Sequence, residues 1–212
     1  MMMHKTLTFT HRTTCDLIFK KDLFSNEEFI DSLDGESYVF ISDTNLQIYY
    51  EKKIRETFFK KKISYLFIPA TEKSKSFSEL SKLLEKLFLL GCRRKTVLIA
   101  FGGGVVLDLV GFLASIFLRG ISVLYIPTTI IGMVDAAIGG KTGINTSFGK
   151  NLIGSFTQPK AIYIDPYFLK TLPQDSFKEG LSEMIKHALI ADKNLFYIFV
   201  ENAEKLKNRD LL

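Results

Sequence analysis

The chain has 212 residues, enough for one ordinary domain and part of a second. Apolar residues make up 47% and charged residues 24%, the balance of a water-soluble globular protein. The net charge of +5 is modest and its lysines are dispersed; with neither a zinc-finger cysteine pattern nor an RNP-type aromatic motif, nucleic acid is not an expected partner.

The first residues, MMMHKTLTFTHRTT, lack the continuous apolar core of a signal peptide. Cys15 and Cys92 do not have a metal-pair spacing and point to a reduced, cytoplasmic setting. Residues 6–9 and 16–20 are expected to add a β-hairpin at one edge. Short apolar runs at 38–42, 65–69, 96–101, 123–127 and 161–164 read as strands, and helical periodicity fills 46–61, 77–90 and 105–118. Strands that are apolar throughout and separated by helices predict an α/β fold with a doubly wound parallel sheet. Ligands of such sheets bind beyond the carboxyl ends of the strands. The apolar stretch 121–137 is interrupted by Pro127, Gly132 and Asp135, and roughly 20 apolar residues are needed to span a bilayer. It reads as a buried strand running into a loop and a helix start, so no membrane partner is expected. From Gln174 onward the pattern is helical, with Asp175 as the expected cap. The expected organisation is an α/β domain over 1–172 and the beginning of a helical domain over 173–212. Phe196, Ile198, Phe199 and Leu206 in the latter need a covering surface.

The chemistry-bearing residues cluster between Phe101 and Asn151. Gly102, Gly103 and Gly104 follow an apolar strand and open an apolar helix, where a backbone without Cβ atoms lets a ligand approach and free amides favour anionic oxygens. The spacing is not Gly-x-Gly-x-x-Gly, so a generic turn and a cofactor turn are equally open on composition alone. Gly139-Gly140-Lys141-Thr142 is not a triphosphate loop, because Asp135 stands where that loop needs glycine. Arg119, just before Gly120, suits the end of a helix dipole. Glu183 and Lys186, three apart, share a helix face, and by themselves read as an intrahelical ion pair. Asp43 and Asn45 read about equally well as turn residues.

An ordered series of segments then carries a resemblance. Gly102 to Asp108 (GGGVVLD), Pro127-Thr128-Thr129, Val134-Asp135, Gly139 to Thr142 (GGKT), Gly149 to Gly154 (GKNLIG), Gln158-Pro159, Leu169 to Pro173 (LKTLP) and Gly180 to Lys186 (GLSEMIK) stand in order. The series resembles the 3-dehydroquinate synthases, within the sugar phosphate cyclases. The resemblance covers most of the chain from about Val39 onward.

It implies a Rossmann-like NAD-binding domain followed by the start of an all-helical metal-binding domain. It also implies conversion of 3-deoxy-D-arabino-heptulosonate 7-phosphate to 3-dehydroquinate and phosphate in the shikimate pathway, with NAD cycling and a divalent metal, zinc or cobalt. Carried over position by position, cofactor contacts fall on Asp43, Asn45, Glu72, Lys75, Gly103, Gly104, Val105, Val106, Leu107, Asp108, Thr128, Thr129, Lys141, Lys150, Phe168, Leu169, Lys170 and Thr171. Arg119, Asp135, Lys141, Asn151 and Lys186 fall on substrate contacts, with Arg119 reaching across a homodimer boundary. Glu183 falls on a metal ligand. The three histidines, His4, His11 and His187, do not match the family's two histidine ligands, and His187 reads as structural. The expectation is an N-terminal portion of a longer enzyme, inactive on its own. Another sugar phosphate cyclase, a metal-dependent alcohol dehydrogenase and a non-catalytic NAD-binding fragment remain as alternatives.

Overall fold

The computed structural model describes residues 13–209. In chain order the elements are β1 (Asp16–Phe19), α1 (Glu27–Asp31), β2 (Ser37–Asp43), α2 (Thr44–Thr57), β3 (Ile63–Ile68), α3 (Phe77–Leu89), β4 (Thr96–Gly102), α4 (Gly104–Ile116) and β5 (Val123–Pro127). Then come β6 (Lys141–Thr146), β7 (Gly149–Phe156), β8 (Ala161–Ile164), α5 (Gln174–Ala191), α6 (Lys193–Glu201) and α7 (Ala203–Lys207). Six strands form one sheet in the order β1-β8-β5-β4-β2-β3, every pair parallel. The chain leaves β2 for β3 on one side and then returns to β4 on the other. That reversal of strand order opens a crevice beyond the carboxyl ends of β2 and β4.

Side-chain alternation along the strands divides the interior in two. Val39, Ile41, Leu98, Ala100 and Tyr125 join Leu80, Leu83 and Leu87 of α3 and the apolar length of α4 on one face. Tyr38, Phe40, Ile99, Phe101 and Leu124 join Leu46, Ile54 and Phe58 on the other. Both faces being covered is why the strands read as continuous apolar runs. On the second face Phe24, Phe40, Phe101, Phe168 and Tyr50 pack ring against ring, with Phe101 and Phe168 centroids 4.9 Å apart.

Local chemistry starts the helices. Asp43 Oδ1 accepts from the Leu46 amide at 3.1 Å to begin α2, and Ser76 Oγ accepts from the Glu79 amide at 3.3 Å to begin α3. In α3 the apolar positions Leu80, Leu83 and Leu87 fall on one face at helical spacing. Helix α4 is apolar nearly all round because it lies between the sheet and the hairpin. A Cβ on its Gly111 would stand 2.0 Å from Tyr125 Oη and 2.5 Å from Thr142 Cγ2.

Three sequence expectations are corrected. Residues 16–19 pair in parallel with β8, so they are an edge strand of the main sheet and not half of a hairpin; residues 6–9 lie outside the described part. Lys141–Thr146 and Gly149–Phe156, for which the sequence reading gives no strand, form an antiparallel hairpin. Asp175 does not cap α5, whose N-cap position is Pro173 without a side-chain bond. Phe177 is buried in the main core, and Phe199 and Leu206 line an apolar groove with it, while Ile198 stays exposed. Among the described residues no helix is long and apolar enough to cross a membrane.

Candidate active site

The carboxyl ends of the strands carry most of the predicted residues. β4 runs through Gly102 into α4, which opens at Gly103 with no side chain bonding its first amides. A long helix with free first amides suits an anionic group such as a pyrophosphate. A Cβ on Gly103 would lie 2.8 Å from Thr129 Cγ2, so the turn sits close against the end of β5 and a side chain there would have to displace that methyl. Thr128 is buried with its amide on the Gly102 carbonyl at 3.0 Å, and Thr129 Oγ1 accepts from the Gly132 amide at 2.9 Å. Val106 and Leu107 are wholly buried, so at these positions the side chains belong to the core.

Beside this turn lies a cleft of ≈ 410 Å³ lined by Asp108, Asp135, Lys141, Asn151 and the hairpin backbone. Lys141 Nζ stands 3.5 Å from Asp135 Oδ1. The Lys75 ammonium is buried and donates to Asp108 Oδ2 at 2.6 Å and to Asn151 Oδ1 at 2.5 Å. Burial pushes the Asp108 carboxyl up, against the opposing pull of the Lys75 charge. Asn151 has a left-handed backbone (φ 56), uncommon for a residue with a side chain. Glu72, at the carboxyl end of β3, accepts from Asn145 Nδ2 at 2.7 Å and lies 4.0 Å from Lys150 Nζ.

The hairpin that carries Lys141, Lys150 and Asn151 is fixed to α4 by hydroxyls. Ser155 Oγ donates to Ser115 Oγ at 2.8 Å and also meets Thr142 Oγ1 at 2.9 Å. Its strands approach closely at two glycines, where a Cβ on Gly154 would fall 1.8 Å from the Thr142 carbonyl oxygen.

Other predicted residues stand apart from the cleft or are engaged in the fold. Asp43 is occupied as the cap of α2, and Asn45 supplies one of the capped amides. Phe168 and Leu169 are buried, Thr171 Oγ1 lies 2.9 Å from Tyr50 Oη, and Lys170 stacks 3.8 Å over the Tyr167 ring. Arg119 precedes β5, at the amino end of the sheet, opposite the carboxyl ends where the cleft lies. Leu118 (φ 48) and Arg119 (φ 67) are both left-handed there, a strained turn for two side-chain-bearing residues. Glu183 Oε1 accepts from Lys186 and lies 3.1 Å from His187 Nε2. The Lys186 bond holds the Glu183 carboxyl below its usual range, with His187 adding to the effect.

A catalytic zinc ion typically takes three protein ligands. Among the described residues no group of three His, Cys, Asp or Glu side chains could hold a metal. They do not by themselves fit a metal centre.

Asn145 was not legible as a site residue. An asparagine inside a strand, where its type is depleted, is the one signal that could have marked it.

The architecture and the place of the cleft define a Rossmann-like α/β domain. Residues 65–179 match the family model for the N-terminal part of 3-dehydroquinate synthase. The chain belongs to the 3-dehydroquinate synthase family. It is 52% identical over 145 residues to the 3-dehydroquinate synthase of a Nitratiruptor species, a match covering 68% of this chain and 41% of the relative. The chain thus spans about two fifths of the length of the curated relatives it matches. Its fold superposes on 2-epi-5-epi-valiolone synthase from Streptomyces hygroscopicus subsp. jinggangensis 5008, solved with NAD+ and Zn2+ bound. The TM-score is 0.90 at 28% identity, covering 98% of this chain and 59% of that one. A 2-deoxy-scyllo-inosose synthase complexed with carbaglucose-6-phosphate, NAD+ and Co2+ superposes with a TM-score of 0.75 at 28% identity, covering 82% of this chain and 49% of that one.

Proposed function

We propose that this chain supplies the dinucleotide- and sugar-acid-handling part of a 3-dehydroquinate synthase, acting on 3-deoxy-D-arabino-heptulosonate 7-phosphate in a cytoplasmic setting. The observation that carries this reading is the uncapped start of α4 against the cleft that holds Asp108, Asp135, Lys141 and Asn151. NAD, when bound, would supply an acceptor for the hydride on the carbon that bears a ring hydroxyl, the hydroxyl hydrogen leaving separately as a proton, and would later return that hydride. The backbone at Gly103, Gly104 and Val105 would face its pyrophosphate, and Glu72, Lys75, Asp108, Thr128, Thr129 and Lys150 would hold its polar edges.

The remaining groups would grip the substrate. Asp135 offers an acceptor, Asn151 both a donor and an acceptor, and Lys141 a cation on an exposed, movable stem. That set suits a polyhydroxy acid, whose hydroxyls both donate and accept and whose carboxylate needs a positive partner. Excluding water from this cleft would strengthen each contact. Arg119 sits at the wrong end of its own sheet to join them, so a role on substrate phosphate belongs to the cleft of a second copy, which makes a homodimer part of the proposal. Lys186 is proposed as a further substrate contact and Glu183 as one donor to a divalent cation. Helices from residue 173 onward are proposed to begin a separate helical unit.

Equilibrium dialysis of 3-deoxy-D-arabino-heptulosonate 7-phosphate against the chain, with and without NAD, tests this reading. Binding is expected only with NAD, and Lys141→Ala should weaken it about tenfold through loss of a charged hydrogen bond. Sugar-acid binding that ignores NAD, or is unchanged in both Lys141→Ala and Asn151→Ala, would contradict it.

A further inference from the structure

Asn145 sits where the hairpin ladder breaks. The pairing of β6 with β7 shifts register between Ile144 and Thr146, which leaves Asn145 outside the ladder. Bulges of this kind re-aim a side chain and are over-represented beside active sites. The freed Asn145 amide donates to the Lys75 carbonyl at 2.7 Å. Its side chain spans the gap between two segments. Nδ2 donates to Glu72 Oε1 at 2.7 Å and to the Glu72 carbonyl at 3.2 Å, while Oδ1 accepts from the Asn151 amide at 2.9 Å. Asn151 is the residue with the left-handed backbone, and its own Oδ1 accepts from Lys75.

We infer that Asn145 is a positioning residue that locks Asn151 in its left-handed conformation and ties it to the Glu72–Lys75 turn, so that dinucleotide contact at the turn is transmitted to the sugar-acid side of the cleft. The inference rests on the dinucleotide reading given above. Two residues with different roles in that reading, Glu72 and Asn151, share one amide side chain, and Lys75 is held through the Asn145 backbone amide. Loss of either half of that side chain uncouples them in a different way. N145A removes both halves. N145D keeps an acceptor for the Asn151 amide but removes the donor to Glu72 and sets two carboxylates together. In that background E72Q restores a donor–acceptor pair with its direction reversed.

The test is amide hydrogen exchange of the 212-residue chain by NMR, with and without NAD, together with NAD titration calorimetry. In the wild type the residue 151 amide should be protected, and more so with NAD. N145A should lose about fivefold of that protection and weaken NAD by a similar factor, the worth of one hydrogen bond, while β4 amides keep native exchange. N145D should keep protection at residue 151 yet bind NAD more weakly, and E72Q should restore that loss when compared with E72Q alone. Unchanged exchange at residue 151 in N145A, or a loss spread evenly over hairpin and core amides, would overturn the inference. So would wild-type NAD binding that leaves the residue 151 amide unaltered. A wild type that binds no NAD would overturn the dinucleotide reading and the coupling, with N145A exchange in the ligand-free chain still deciding whether the lock exists.

Discussion

Lys75 is the residue on which the two halves of the cleft meet. Its ammonium is buried and shared between Asp108 and Asn151, and a buried charge that loses its partner is costly. Lys75→Met leaves the Asp108 carboxylate without its cation, and should cost about 3 kcal/mol in unfolding free energy by urea denaturation. Asp108 titrates above its unfolded value because it is buried, so the folded chain holds a proton that the unfolded chain releases. The stability from this group is therefore full below the ordinary carboxylate range and is lost as pH rises through the raised value. Unfolding free energy measured across that window should decline with pH, and less steeply in D108N. Tyr125 is a separate case. Its hydroxyl is buried beneath Gly111 with no hydrogen-bond partner among the described residues. Y125F removes the unsatisfied group while keeping the ring, and should raise stability by about 1 kcal/mol in the same assay.

At the scale of elements, the hairpin of β6 and β7 is what presents Lys141, Lys150 and Asn151, and its close approach depends on glycine. Gly154→Ala puts a Cβ onto a backbone oxygen that no side-chain rotation can move, and should cost more than about 3 kcal/mol. Gly91→Ala meets open space and strains only a left-handed backbone, so about 1 kcal/mol is expected. Thermal unfolding of the two variants checks the contrast. Strands β2, β4, β5 and β8 were legible because parallel strands covered on both faces are apolar along most of their length, as in Val97 to Phe101, and the half-buried edge strand β3 was legible from its apolar run at 65–68. The hairpin was not, since Lys141, Asn145 and Lys150 interrupt its alternation and its glycines read as turns. β1 was mistaken for half of a hairpin because four residues carry no sign of which neighbour they pair with, and that neighbour, β8, lies far along the chain, with Asp16 opposite Ala161.

At the scale of the whole molecule, the two halves of the sheet meet where strand order reverses, and the free start of α4 opens into that crevice. The glycine turn and the ordered motifs marked this region in the sequence, yet the Lys75–Asp108–Asn151 contact joins residues far apart in the chain and carries no local pattern. The amino-end placement of Arg119 follows only from strand direction, and the homodimer proposed above rests on it together with the proposed role of Arg119 on substrate phosphate. NAD titration of the isotope-labelled chain, read amide by amide in NMR spectra, tests the central claim most directly. Saturable shifts confined to Gly103, Gly104, Val105, Thr128, Thr129 and the Glu72–Lys75 turn are predicted, and Gly103→Val should abolish them without unfolding α3. Spectra that do not respond to NAD, or that respond only at surfaces remote from the start of α4, would contradict it.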